Sequence, residues 1–322
     1  MNTLEEIKKT IAEPMQRFNA KYREQLHSSV TLVNEINNYL WERNGKQIRP
    51  VLVLLSAAAG LEENMMQDEY EKYITEKVDL ALAMEILHNS SLMHDDVVDE
   101  SPLRRGRETV KQRWSNKIAV LCGDFYLAQV MDILNKVNKK EISMVVDRTV
   151  IEMSEGELLQ QQVSHEKDLE ESNYYNVIYK KTASLMAACC EIGYQPLRTY
   201  GYEFGMAFQI RDDIMDYHSD KETGKPQGND IKERKMTLPL LCYLKRVDDE
   251  MREFTLKQLK QDVLEDETAD EIVNRVVESG ALEDAYKILQ KRISNAKESL
   301  KVVKDSKYKT ALMDLADLLM IK

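Results

Sequence analysis

Residues that interrupt helices are scarce in this chain of 322 residues. Its eleven glycines and six prolines amount to less than half of the roughly 12% that these residues contribute to an average protein. Apolar residues recur at spacings of three and four in segments such as YNVIYKKTASLMAACCEI and DAYKILQKRISNAKESLKVV, as expected for amphipathic helices. No stretch alternates long enough to predict a sheet. The sequence therefore predicts an all-α protein.

Composition and charge argue against several classes of function. Hydrophobic residues make up 43% of the chain, enough for a sizeable core, and the net charge of −11 disfavours a general nucleic-acid-binding protein. The four cysteines form no Cys-x-x-Cys pair, so zinc and redox motifs are not expected. The N-terminus lacks the apolar core of a signal peptide, and no run of 18 apolar residues occurs. We expect a soluble, cytoplasmic protein without a transmembrane segment.

One short acidic motif, Asp-Asp-x-x-Asp, occurs twice. It stands at 95–99 (DDVVD) and at 212–216 (DDIMD), each time after an apolar helical segment. With 23 aspartates in the chain, the number of occurrences expected by chance is far below one. A solvated helix face is the ordinary explanation for a single acidic cluster. Two copies make a functional role the better interpretation.

The spacing within the motif has a physical meaning. In each copy the first and last aspartates are one turn apart on one helix face, with the middle aspartate close by. Carboxylates this close repel one another unless cations lie among them. Oxygen ligands without thiols or paired histidines suit Mg²⁺, which takes one or two protein carboxylates and completes its shell with water and substrate phosphates. Two such faces opposite each other in a helical bundle would form a metal-bound diphosphate site.

Basic residues suited to phosphate accompany both clusters. Arg makes bidentate contacts with phosphate, and Lys acts as a movable point charge. His88 lies two turns before Asp95 on the same helix face. Taken singly, each basic residue could equally be an ordinary surface charge, and His88 a core histidine. The candidates are Lys46, Arg49, Arg104, Arg105, Lys180, Lys181, Lys225 and Lys235.

Five segments, in this order, resemble the trans-type polyprenyl diphosphate synthases. They are GKQIRP, LHNSSLMHDDVVDESPLRRG, KKTASL, FQIRDDIMD and GKPQGNDIKERKMTLPL, and they cover roughly residues 40–245. The resemblance is to long-chain synthases of the octaprenyl diphosphate type. It implies a single all-helical domain over residues 1–322, with the helices bundled around a deep central cavity, usually in a homodimer.

The resemblance also implies roles for individual residues. Those implied to bind isopentenyl diphosphate are Lys46, Arg49, His88 and Arg105. Those implied to bind the allylic diphosphate are Arg104, Lys181, Lys225 and Lys235. Those implied to lie beside the reacting carbon are Lys181, Thr182 and Gln209. The implied metal ligands are Asp95, Asp99 and Asp212, and the implied supporting acidic residues are Asp96, Asp213 and Asp216.

The chain departs from the family pattern near two of these sets. Asn44 and Gly45 stand where two glycines are often found, and Arg234 stands where a glycine is often found. The second departure is expected to alter the loop before Lys235. Lys235 is therefore the least secure of the implied allylic contacts.

The implied reaction is a Mg²⁺-dependent prenyl transfer, with about two or three ions per site. Isopentenyl diphosphate is added to an allylic diphosphate in successive head-to-tail trans condensations. Departure of the allylic diphosphate leaves a carbocation, and the metal ions and basic side chains stabilise the charge on the leaving group. A closed apolar cavity keeps water away from the cation.

Two small residues before the first acidic cluster bear on the length of the product. Ser91 lies one turn before Asp95, and Ser90 is next to it. In the resembling family an aromatic ring at either position stops growth at short products. The two serines therefore predict a long product, of the kind used for quinone side chains. Small residues that merely ease helix packing are the alternative explanation.

Three other functions stay open on the sequence alone. A short-chain farnesyl or geranylgeranyl diphosphate synthase is the first. A class I terpene cyclase, the second, binds one diphosphate and has no need of Lys46, Arg49 and Arg105. A non-catalytic regulatory subunit, the third, usually tolerates loss of acidic residues, whereas both clusters are intact here.

Overall fold

The structure, a computed structural model, describes residues 2–42, 45–61, 65–104, 106–166, 170–218, 228–261 and 264–321. Asn44 and two of the predicted site residues, Arg105 and Lys225, lie outside these ranges. Within them the chain is helical almost throughout, and extended structure is limited to one small hairpin. The predicted all-α class is confirmed.

Helices follow one another along the chain with short connections. Up to the first acidic cluster they are α1 (Leu4–Lys9), α2 (Ala12–Gln25), α3 (Thr31–Trp41), α4 (Ile48–Ala59) and α5 (Gln67–Val98). The hairpin follows, formed by antiparallel strands β1 (Leu103–Arg104) and β2 (Arg107–Glu108). The central helices are α6 (Val110–Arg113), α7 (Asn116–Val137), α8 (Lys140–Glu166), α9 (Glu171–Ile178), α10 (Ser184–Gly193) and α11 (Arg198–Met215).

The remaining elements are shorter turns and the C-terminal helices. A π-helical turn (Tyr179–Ala183) joins α9 to α10, and 3-10 turns occupy Gln195–Leu197 and Leu300–Val302. The C-terminal helices are α12 (Asn229–Lys232), α13 (Leu238–Arg246), α14 (Asp249–Leu259), α15 (Asp266–Glu278), α16 (Ala281–Ser299) and α17 (Lys307–Asp317).

The core centres on two helices that are apolar on nearly all sides. α4 reads IRPVLVLLSAAA and α10 reads SLMAACCEIG, each with a single charged residue. A helix that is hydrophobic all round is stable only inside a protein. α4 packs against α5, α10 and α17, while α10 packs against α11. These contacts anchor α5 and α11, the two helices that carry the acidic clusters, to one core.

Two glycines let α11 approach its neighbours closely. A Cβ atom at Gly201 would lie 2.5 Å from the carbonyl oxygen of Met186, and one at Gly205 would lie 2.6 Å from Cα of Ala183. Backbone atoms of packed helices cannot move aside at low cost. Gly205 therefore sets the distance between α11 and the π-helical turn, which carries Lys181 and Thr182.

By length and composition, α7 is the helix of the described residues that could cross a membrane. Of its apolar window, 39% is buried inside the protein, and core helices of soluble proteins have the same properties. The expected absence of a transmembrane segment stays a prediction.

We expect Gly205→Ala to lower the free energy of unfolding by about 1–3 kcal/mol, because the added methyl group overlaps the backbone of Ala183. Urea unfolding followed by circular dichroism measures the change. Thr199→Ala, at an exposed position of the same helix, is the control and should alter stability by less than about 0.5 kcal/mol. Equal unfolding midpoints for Gly205→Ala and the wild type would contradict the close approach.

Candidate active site

Both acidic clusters lie at the C-terminal ends of helices. Asp95 is in the last turn of α5 and Asp99 is its C-cap, while Asp212 is in the last turn of α11 and Asp216 is its C-cap. The C-terminal end of a helix carries partial negative charge from its free carbonyl groups, so carboxylates there are destabilising. Neither helix has a basic residue in its last turn. A cation bound at either cluster would offset this unfavourable charge.

Two of the assigned supporting aspartates hold neighbouring segments in place. Asp96 is buried, and its Oδ1 accepts a hydrogen bond from Arg104 Nε at 2.8 Å, which ties α5 to the hairpin. Asp216 Oδ2 accepts a hydrogen bond from the backbone N–H of Asp230 at 3.0 Å, which ties α11 to α12. Both carboxylates are therefore engaged by the protein itself.

The third supporting aspartate belongs to a chain of hydrogen bonds. The side chain of Asp213 is buried and accepts from Tyr174 Oη at 2.7 Å and from Gln209 Nε2 at 2.9 Å. Gln209 Oε1 in turn accepts from Thr182 Oγ1 at 2.8 Å. Thr182 and Gln209, which were predicted to lie together beside the reacting carbon, are thus in direct contact.

The three assigned metal ligands differ from the supporting residues. The side chains of Asp95, Asp99 and Asp212 make no hydrogen bond or ion pair with any residue that the structure describes. Within the same residues, no group of three or more His, Cys, Asp or Glu side chains is arranged to hold a metal ion by itself. The carboxylates fit a cation that takes further oxygen ligands from water and phosphate, as Mg²⁺ does.

One lysine connects the surroundings of the two clusters. Lys181 lines a cavity of about 200 Å³ together with Asp212, and it also lines a second cavity of about 310 Å³ together with Asp95. Its Nζ lies 2.5 Å from Glu157 Oε2 and 3.3 Å from Gln160 Oε1, both on α8. A phosphate placed in either cavity would meet this ammonium group.

The π-helical turn places Lys181 and Thr182 at the site. A π-helical turn inserts an extra residue into a helix and so redirects the side chains that follow. Lys180, the residue before, instead forms an ion pair with the exposed Glu155. The sequence pair KK therefore contains one lysine that lines the cavities and one that pairs outside them.

Burial and mutual repulsion raise the pKa of carboxyl groups here. Burial, with Glu157 and Asp99 adding to it and Lys181 opposing it, raises the pKa of Asp95 to about 6. Burial and neighbouring aspartates raise the pKa of Asp230 to about 8. Loss of hydration is the main cause in both cases, and a cation bound beside these carboxyl groups would favour their charged form.

Three of the residues assigned to isopentenyl diphosphate lie just before α4, in its first turn and on α5. Lys46 is exposed just before α4, and Arg49 is half-buried in its first turn, at the positive end of the helix dipole. His88 is half-buried on α5, which packs against α4. Gln47 between the two cations has φ 54°, a left-handed conformation that leads the chain into α4. This arrangement suits an anion.

Lys235 is half-buried and lines the same cavity as Asp212. Burial lowers the pKa of Lys235, but nearby carboxylates, including Asp99, outweigh this effect and raise it. Arg234 before it has φ 57°, in the left-handed region, which costs about 1–2 kcal/mol for a residue with a Cβ. A glycine at this position would adopt the same conformation without that cost.

Arg104 lies elsewhere. It lines neither cavity that Lys181 lines, and its ion pair with Asp96 places it beside a smaller cavity of about 90 Å³. That cavity lies on a different face of α5, since Asn89 and Met93 line it instead of Ser91 and Asp95. A contact of Arg104 with the allylic diphosphate stays a prediction.

The two serines before the first cluster lie on the wall of the larger cavity. Ser90, Ser91 and Leu87 line it from α5, and further apolar residues line it from α7 and α8. Ser90 Oγ donates to the carbonyl oxygen of Gly123 at 2.8 Å, and Ser91 Oγ donates to that of His88 at 2.9 Å. Because both hydroxyl groups donate their hydrogen bonds to backbone carbonyl groups, the serines present small, weakly polar side chains to the cavity.

Sequence analysis missed two site residues on α8, Glu157 and Gln160. The sequence feature that could have indicated this part of α8 is Gly156, an isolated glycine in a helical pattern. A Cβ at Gly156 would lie 2.7 Å from the backbone nitrogen of Lys181, so this glycine brings α8 against the π-helical turn. Tyr174, also missed, had no comparable signal.

The chain resembles known proteins along nearly its whole length. Residues 30–276 match the family model described as polyprenyl synthetase. The all-trans-nonaprenyl-diphosphate synthase (geranyl-diphosphate specific) of Rhodobacter capsulatus is 33% identical over 326 residues, which cover 98% of this chain and 96% of that protein. The crystal structure of a decaprenyl diphosphate synthase from Rhodobacter capsulatus has a TM-score of 0.88 at 30% identity, with 99% and 98% of the two chains covered. A polyprenyl synthase from Caulobacter crescentus, crystallised with calcium and isoprenyl diphosphate, has a TM-score of 0.87 at 29% identity, with 99% and 97% covered.

We expect Asp95→Asn to stabilise the metal-free protein. With its folded-state pKa raised to about 6, the charged carboxylate of Asp95 destabilises the folded state above that pH. Below the unfolded-state pKa of about 4, the variant and the wild type should be equally stable. The gain at neutral pH should be about 1–2 kcal/mol, less than the full shift implies because the side chain is partly exposed.

Urea unfolding in EDTA at neutral pH and near pH 4 measures this difference. Asp99→Asn, at the exposed C-cap of the same helix, is the control and should gain less. A loss of stability in Asp95→Asn at neutral pH would show that the carboxylate is compensated by the protein.

Proposed function

Since this chain belongs to the polyprenyl synthetase family, and is thereby a prenyltransferase, we propose that it adds isopentenyl diphosphate to an allylic diphosphate in successive head-to-tail trans condensations. The observation that carries the proposal is the position of Lys181, which lines both the cavity beside Asp212 and the cavity beside Asp95. An allylic diphosphate at this lysine would have carboxylates available for cations around its phosphates. Its hydrocarbon chain would enter the larger cavity.

The residues fit a divalent cation. Asp95, Asp99 and Asp212 would hold it, and we propose Mg²⁺, with about two or three ions per site. When bound, the ions stabilise the negative charge that develops on the departing diphosphate. Support comes from the Caulobacter crescentus relative, which was crystallised with calcium and isoprenyl diphosphate.

The chain's own side chains have separate tasks in this reaction. Lys181 exchanges its ion pair with Glu157 for a contact with the allylic diphosphate. Thr182 and Gln209 direct oxygen atoms toward the carbon that becomes positive. The cations at α4 hold isopentenyl diphosphate so that its double bond lies beside that carbon. The released diphosphate accepts the proton that is lost when the new double bond forms.

We propose a long-chain product, used for quinone side chains. Support comes from the cavity of about 310 Å³ that begins at Asp95 and Lys181 and extends along α5 past Ser91 and Leu87. The side chains at Ser90 and Ser91 are small, so no aromatic ring projects into the cavity from these two positions. The named relatives from Rhodobacter capsulatus, a nonaprenyl and a decaprenyl diphosphate synthase, agree with this length.

We also propose a homodimer in the cytoplasm. Support for the dimer comes from large apolar side chains exposed on two consecutive helices, α7 and α8, which a second copy would cover. These side chains are Val120, Leu121, Met131, Met144, Ile151 and Leu158.

The purified chain should incorporate radiolabelled isopentenyl diphosphate into an organic-extractable product when an allylic diphosphate and Mg²⁺ are present. Asp212→Ala should reduce the rate by about 100-fold or more, because it removes a proposed metal ligand. Asp305→Ala, at an exposed aspartate outside both clusters, is the control and should keep its activity. Undiminished turnover in excess chelator would contradict the metal requirement, and an inactive wild-type chain would favour a non-catalytic subunit.

Ser91→Phe should shorten the product while leaving the first condensation largely intact, because the ring would project into the cavity below Asp95. Reversed-phase separation of the dephosphorylated products measures their length. Ser91→Ala, which adds no volume, should leave the length unchanged. A wild-type product of fifteen carbons would identify a short-chain synthase, and an unchanged length in Ser91→Phe would show that Ser91 does not bound the growing chain.

Ile151→Glu should shift the protein toward monomer in sedimentation velocity, because it places a charge on the apolar surface of α8. Val302→Glu is the matched control, since its side chain is exposed to nearly the same degree (56% against 57%) but lies on the C-terminal 3-10 turn. Monomeric wild-type protein, or dissociation by both variants, would contradict this interface.

A further inference from the structure

We propose that Tyr174 is a positioning residue for the condensation: through Asp213 and Gln209 it fixes the direction in which the Thr182 hydroxyl points. This inference rests on the function proposed above. It concerns a residue outside every motif by which the site was recognised in the sequence.

The four side chains form one unbranched series of short hydrogen bonds. Tyr174 Oη donates to Asp213 Oδ2 at 2.7 Å, and Gln209 Nε2 donates to Asp213 Oδ1 at 2.9 Å. Thr182 Oγ1 donates to Gln209 Oε1 at 2.8 Å. Three separate elements, α9, α11 and the π-helical turn, are linked in this way.

The direction of each hydrogen bond follows from the first two. Both carboxylate oxygens of Asp213 act as acceptors, so the amide group of Gln209 must present its NH₂ group to Asp213. Its carbonyl oxygen then faces Thr182, and the Thr182 hydroxyl can only donate to it. The lone pairs of Thr182 Oγ1 then remain available to a molecule bound in the cavity that Thr182, Lys181 and Asp212 line.

That direction suits the proposed chemistry. As the diphosphate leaves, the allylic carbon becomes positive, and an oxygen that presents lone pairs to it is stabilising. The opposite hydroxyl orientation would present a positive hydrogen to the same carbon. A fixed dipole needs no reorganisation at the moment of reaction, whereas a freely rotating hydroxyl would. No proton is transferred along the series.

Tyr174 is placed to fix this arrangement firmly. Its side chain is 5% exposed and packs edge-on against Tyr175 with the ring centroids 5.2 Å apart. Burial and the neighbouring Asp213 raise the pKa of the Tyr174 phenol well above its usual range, so the hydroxyl remains a donor. Without it, Asp213 Oδ2 loses the donor that orients the carboxylate.

The test is a double-mutant cycle with Tyr174→Phe and Thr182→Val, measured as the single-turnover rate of the first condensation and as KM for both substrates. Tyr174→Phe should reduce the rate by about 10–100-fold while KM changes by less than about twofold. In the Thr182→Val background it should have almost no further effect, because both changes remove the same oriented dipole. Tyr175→Phe, a half-buried neighbour on the same helix, is the matched control and should resemble the wild type.

Each outcome decides between the possibilities. Additive effects in the cycle, a rate within twofold of the wild type, or a change confined to KM would overturn the positioning role and leave the proposed function intact. An inactive wild-type chain would overturn both. If Tyr174→Phe does not fold, Asp213→Asn replaces it in the same cycle, since its amide alters the pattern of acceptors at Gln209 without a change in shape. The same non-additivity with Thr182→Val is then expected.

Discussion

Repulsion between carboxylates at two negative helix ends is the constraint on which the rest of this structure depends. α5 and α11 both end in acidic clusters, and neither helix offers a basic residue in its last turn. The helix dipole and the neighbouring carboxylates act in the same unfavourable direction. Such an arrangement persists only when the helices are held by contacts elsewhere. The apolar helices α4 and α10 supply these contacts, and Gly201 and Gly205 let α11 pack without a gap.

Within each cluster the aspartates have different roles, which depend on where each side chain points from the helix. Asp96 and Asp213 turn toward the protein and are satisfied by Arg104, Tyr174 and Gln209. The outer members of the first cluster and the first member of the second find no partner in the described part of the chain. The hydrogen-bonded aspartates hold the helix ends in place. The position of the helix ends in turn determines where the carboxylates without a partner lie. One motif would therefore provide both the proposed metal ligands and the residues that support them.

Features that depend on the local pattern of residues could be predicted from the sequence. Features that depend on contacts between residues far apart in the chain could not. Scarce glycine and proline indicated an all-α fold, and one-turn spacing placed the aspartates on common helix faces. The role of Tyr174 could not be read in this way, because its partner Asp213 is 39 residues away. The π-helical turn was also beyond prediction, since an extra residue in a helical turn leaves no trace in the period of so short a segment.

In the proposed function, the reaction and the length of the product are coupled, because one helix, α5, carries the residues proposed for both. Asp95 stands at the end of α5, and Ser91 and Leu87 follow at intervals of about one turn, or roughly 5.4 Å, along the same face. A chain whose diphosphate is fixed near Asp95 must pass these positions in order as it grows. The helix is buried through its middle and packs along α7, so the spacing cannot relax to admit a bulkier side chain. On the proposed function, the size of the residue at each turn, rather than any change at the carboxylates, would therefore set the point at which growth stops.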